Sequence, residues 1–142
     1  MDLVKIDGVV YDVLVSALEE IPEIVEGGNS GTALYRQRDI RDIAGVKYAH
    51  KITFSPNEES PELFDSLFSY LFDNVRESVM LEVVHGQTTI SYEARYSTGS
   101  RRVNYISQRK DADTEEETDF IHWDDLTVDF RSMETVVNAV GV

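Results

Sequence analysis

The chain has 142 residues, 27 acidic against 13 basic side chains, a formal net charge of −14 and no cysteine. That length fits one domain with a real core, since a domain of this size buries roughly 70% of the surface its unfolded chain exposes. The composition excludes disulfides and thiolate metal sites, shows no stretch near the roughly 18 unbroken apolar residues of a membrane span, and argues against a general phosphate-backbone binder, which needs a concentrated Lys/Arg surface.

The opening Met1-Asp2-Leu3-Val4-Lys5 lacks the charged start and apolar stretch of a secretion signal, so synthesis in the cytosol is expected. Leu3 to Val15 reads as an N-terminal hairpin in which Asp7-Gly8 supplies the positive φ angles of a two-residue turn. Val9, Tyr11, Val13 and Val15 share one face of its second strand. Residues 16–44 break the pattern. Ser16 to Glu26 is acidic and interrupted by Pro22, and Gly27-Gly28-Asn29-Ser30-Gly31 is a turn cluster, so the longest loop is expected here, available as a contact arm in an assembly.

A strand follows with Tyr48, His50, Ile52 and Phe54 on one side, closed by Pro56. The clearest helix comes next, with Ser60 as N-cap, Pro61 as first helical residue, and Leu63, Phe64, Leu67, Phe68, Leu71, Phe72 and Val75 in one apolar stripe. Burying most of that stripe against a sheet contributes on the order of 10 kcal/mol before entropy is subtracted. A meander is then expected: Val79 to His85, a turn at Gly86-Gln87, Thr88 to Tyr96, a turn at Thr98-Gly99-Ser100, and Arg101 to Ser107. In its middle strand Ile90, Tyr92, Ala94 and Tyr96 alternate with Thr89, Ser91, Glu93 and Arg95, which predicts one buried and one exposed face. Residues 109–119 read as a solvated acidic linker, and a final strand carries Trp123, Leu126, Val128 and Phe130. Residues 1–133 thus form a single β-rich domain, and 134–142 a C-terminal tail without assigned structure.

No catalytic or metal constellation is legible. Asp111, Asp113 and Glu115 have the one-three-five spacing of a calcium loop, but Glu116 stands where the sharp turn needs glycine and His122 where a bidentate carboxylate is needed. His50, His85 and His122 sit on separate elements; His50 reads as packed or hydrogen-bonded and His85 as a turn residue. The glycine cluster at 27–31 lacks the lysine of a phosphate loop. No catalytic residue, metal ligand or cofactor is therefore assigned. The one charge pattern with a functional reading sets Arg36, Arg38 and Arg41 against Asp111, Asp113, Glu115, Glu116 and Glu117. Complementary patches on one molecule favour a head-to-tail interface between copies.

Three segments, Val4 to Val13, Arg41 to Tyr48 and Trp123 to Phe130, resemble small proteins of the tail modules of Firmicutes phages and prophages. The order of elements is similar to the tail-tube-type domain of distal tail and tail-tube proteins. The resemblance implies an α+β fold: an antiparallel β-sandwich or half-barrel with one main helix on the sheet, joined to its neighbours in a ring. It implies a structural role in the virion tail (tail tube, distal tail or baseplate), with other copies and other tail proteins as partners; the charge and the lack of a long apolar stretch lead to the expectation of neither nucleic-acid binding nor a membrane. The alternative expectation is a small acidic phage inhibitor of a host defence or nucleic-acid enzyme, for which the net charge of −14 suits a basic groove.

Overall fold

The structure, a computed structural model, describes residues 3–11, 13–26, 31–33, 38–40, 43–110, 113–134 and 137–138. The Asp7-Gly8 turn forms as its sequence demands, with φ of 50° and 79°. Its first arm is β1 (Val4–Ile6), but the return is a single Ile6–Val9 bridge, and β1 pairs instead with β6 (Val79–His85). The Asp7 carboxylate fixes the turn there, accepting from the Met80 amide at 2.6 Å and from the Tyr70 hydroxyl. That bond to a carboxylate holds the Tyr70 proton more tightly, so its pKa is raised.

The helix is shorter than its stripe. α1 spans Pro61–Phe68 and passes into one wide turn of π-helix over Ser69–Asp73, closed by the Asn74 amide on the Ser69 carbonyl. A π turn takes an extra residue, which rotates everything beyond it out of the 3.6-residue phase. Phe64, Leu67 and Leu71 are buried, Leu63, Phe68 and Phe72 are half-buried, and Val75, expected on the buried stripe, lies past the helix end at Asn74 and is 76% exposed. The three buried side chains contribute roughly 6 kcal/mol before entropy. Ser60 occupies the N-cap position but its side chain makes no capping bond. Ser60→Ala is therefore expected to shift the urea midpoint by less than about 0.5 kcal/mol equivalent, whereas loss of a working cap costs about 1 kcal/mol.

The main sheet is antiparallel throughout and curls into a half-barrel. Its order is β1, β6, β7 (Thr88–Ser100), β10 (Leu126–Ser132), β5 (Ile43–Ser55) and β2 (Leu14–Glu26); β11 (Val137–Asn138) pairs with β5 beyond the end of β10. Register puts one apolar set on one face: Leu81 opposite Tyr92, Ser132 opposite Ala94, Phe130 opposite both Tyr96 and His50, Val128 opposite Ile52, and Leu126 opposite Phe54. This face and α1 enclose the core, while Thr89, Ser91, Glu93 and Arg95 face water as their alternation predicts. Phe72 lies against Gly99, where a Cβ would overlap its ring.

Three further expectations are corrected. The described residues of the expected loop at 16–44 are strand: β2 and β5 form a 13-residue-per-strand hairpin, with β3 (Gly31–Ala33) and β4 (Arg38–Ile40) paired beyond it, and 27–30, 34–37 and 41–42 lie outside the described residues. β2 lies at the sheet edge, where a proline lacking its N–H and outward carboxylates are tolerated, so Pro22 and its acidic neighbours do not break it. Second, residues 101–107 do not continue the meander. β8 (Val103–Lys110) has no fully buried residue and pairs with β9 (Glu117–Trp123) in a separate hairpin, leaving the place beside β7 to β10, which buries Leu126, Val128 and Phe130 completely. Arg109 and Lys110 at one end of the expected acidic linker, and Glu117 to Asp119 at the other, belong to these strands. Third, the tail is not wholly without structure, since β11 falls within it.

Candidate functional site

Two groupings of polar side chains stand out, one inside the half-barrel and one beside it. The first gathers Glu20 from β2, His50 from β5, His85 from β6 and Tyr92 from β7. Alternation points His50 into the core with Ile52 and Phe54, and it has no exposed surface. Its Nδ1 lies 2.5 Å from the Tyr92 hydroxyl. Burial first, and then the nearby Glu20 charge, raise the tyrosine pKa, so the phenol keeps its proton while sharing one hydrogen bond with Nδ1. Nε2, on the far side of the ring, lies 3.5 Å from Glu20 Oε2 without hydrogen-bond geometry and is a buried polar atom with no hydrogen bond among the described residues. The other oxygen of Glu20 takes His85 Nδ1 at 2.8 Å. Burial holds the His50 pKa down, the Glu20 carboxylate pulls it partly back, and His85 lowers it further. Two imidazoles thus converge on one carboxylate, yet among the described residues no three His, Asp or Glu side chains are grouped to hold a metal ion. His50 is packed and hydrogen-bonded as expected; His85 ends a strand and is tied to Glu20, a role its sequence context does not reveal.

The second grouping is a cleft of about 570 Å³ between the start of α1, residues 55–58 and the β8–β9 hairpin. Its walls include Phe64, Tyr105, Phe120, His122 and Trp123, and its carboxylates are Glu58, Glu62, Asp65, Asp119, Asp124 and Asp125. The hairpin wall is held by its own aromatic packing: His122 stacks on Tyr105 at 4.0 Å, meets Phe120 edge-on at 4.7 Å, and shares a 2.8 Å hydrogen bond with Ser107. At its root Arg101 lies 3.9 Å over Phe68 and 4.1 Å over Trp123, with its Nη1 2.7 Å from Asp65. Arg102 makes a forked pair with Asp124 at 3.2 and 2.9 Å, and Ser55 donates to Asp125 at 2.7 Å. These contacts seat the hairpin beside the helix although its strands are not part of the main sheet.

The residues expected to form an interface fall elsewhere. Arg36, Arg41 and Asp111 lie outside the described residues, and Arg38 is the first residue of β4. Asp113, Glu115 and Glu116 lie between β8 and β9, Glu117 opens β9, and all four are exposed. The cleft was not legible beforehand, because its residues are scattered from Ser55 to Asp125 and meet only when β8 turns away from the sheet. Among the described residues no helix is long and apolar enough to cross a membrane. In comparison with known proteins, no family model and no curated protein matches the chain.

Proposed function

We propose that this chain is a structural component of a bacteriophage or prophage tail, assembling into rings through its sheet edges and its projecting hairpins. The observation that carries the reading is the long β2–β5 hairpin, whose outer strand leaves one edge unpaired among the described residues. Thirteen extended residues span roughly 40 Å, more than core formation needs, and an open edge of that length is a surface for another chain. The exposed Ile21 and Ile24 lie on this strand, and Ile106 and Ile121 face each other on the β8–β9 hairpin, 60% and 44% exposed. Parts of the three segments that resemble tail-module proteins fall on β1, β5 and β10 of the main sheet. The direct test is light scattering and electron microscopy of the purified protein, with mass spectrometry of purified particles. Rings and presence in particles are expected; a monomer at high concentration that is absent from particles rejects the reading.

A second reading, an acidic inhibitor of a host defence or nucleic-acid enzyme, is favoured by one observation: six carboxylates surround a cleft to which, among the described residues, no lysine or arginine contributes lining. Inhibition of such an enzyme by the purified chain at stoichiometric concentration, with no rings formed, would select it.

A further inference from the structure

We propose that the cleft beside α1 receives arginine side chains from an extended basic segment of a partner protein. This goes beyond the tail reading and does not depend on it. The space, about 570 Å³, is that of a cleft able to take several side chains. Its walls are aromatic and its rim is acidic, the combination that suits a planar cation able to stack on a ring face while donating to carboxylates. The protein uses the same chemistry on itself: Arg101 stacks on Phe68 and Trp123 while pairing with Asp65, and Arg109 lies 3.3 Å over Phe120.

Several acids are already engaged: Asp65 and Asp124 by arginines, Asp125 by Ser55, and Glu58 by His122 at 3.4 Å. The exposed side chains of Glu62 and Asp119 have no hydrogen-bond or ion-pair partner among the described residues, so two charges remain for an incoming cation. Guanidinium fits this setting better than ammonium, because only a planar fork both stacks and bonds two oxygens. β4, which carries Arg38, lies far from the cleft of its own molecule. β5 runs from the β3–β4 end at Ile43 to the cleft at Ser55, a separation of roughly 40 Å. In a second copy, the segment Arg36 to Asp42 interleaves its three arginines with Asp39 and Asp42, which weakens its match to an acidic rim. A more basic partner segment is the better complement, and the overall charge of −14 speeds its approach.

Trp123 is the only tryptophan and lines the cleft, so its emission reports occupancy directly. The full chain is titrated with hexa-arginine, hexalysine and a peptide of residues 36–42. Hexa-arginine is expected to give a saturable emission change and to bind at least about fivefold more tightly than hexalysine. The double variant Glu62→Gln, Asp119→Asn should weaken it at least about fivefold with an unchanged circular dichroism spectrum, while Glu116→Gln, Glu117→Gln at the hairpin end keeps wild-type affinity. Absence of a saturable change overturns the proposal. Equal weakening by both double variants also overturns it, since that marks diffuse charge attraction. Tighter binding of the 36–42 peptide than of hexa-arginine overturns it too, by assigning the cleft to a second copy.

Discussion

Phe130→Ala is expected to lower the unfolding free energy by about 3–5 kcal/mol, the range for deleting a large aromatic side chain from a packed interior. Phe130 has no exposed surface and sits in β10 at the middle of the sheet, paired across to His50 on one side and Tyr96 on the other. Its ring lies 6.0 Å from that of Tyr96, whose hydroxyl donates at 2.5 Å to the Leu71 carbonyl in the π turn. Removing the ring leaves a cavity and also loosens the support of the tyrosine that ties helix to sheet. Since domains of this kind are stable by only about 5–15 kcal/mol in total, the variant loses a large part of its margin. Urea unfolding of wild type and variant, compared at equal slope, measures the difference. A loss under about 1 kcal/mol would contradict the placement of Phe130 at the core, and Phe120→Ala, on the half-buried hairpin wall, should cost clearly less.

How legible this fold was depended on whether each segment's burial is set locally. Leu126, Val128 and Phe130, or Tyr92 and Ala94, alternate because one side of their strand faces the core, and period two states that fact within a few residues. The Asp7-Gly8 turn was readable for the same reason, its positive φ angles being a property of two residues. β2 was not, because an edge strand has one partner and little burial, so Glu19, Pro22 and Glu23 look like a loop until β5 is placed beside them. The helix end at Asn74 was equally hidden, since the apolar stripe continues in sequence to Val75 while the backbone leaves the helical conformation one residue earlier. The polar groupings were illegible because their members are far apart in sequence. Glu20, His50, His85 and Tyr92 come from four strands, and no spacing rule joins them.

The buried His50 makes a second quantitative demand. Burial lowers its pKa in the folded protein below the ordinary 6.5, so in the interval between the folded value and 6.5 the unfolded chain binds a proton that the folded chain refuses. Stability is therefore fully present above pH 6.5 and falls as the pH drops through that interval, by at most about 1.4 kcal/mol per pH unit, levelling off once the folded imidazole is also protonated. The groups facing the ring set how early that happens: Tyr92 on Nδ1 from β7, Glu20 near Nε2 from β2, His85 from β6 and the stacked Tyr48 from β5 itself. Urea midpoints between pH 7.5 and 5 should show this slope in the wild type. His50→Gln keeps a polar side chain that does not titrate, so its curve should be flatter over the same range even if its stability at pH 7.5 is lower. His122→Gln, altering a half-buried imidazole on the hairpin, should retain the His50 contribution. An His50→Gln variant with the wild-type slope would mean that the loss of stability on acidification arises from other groups, and that the proton on this ring is no obstacle to folding.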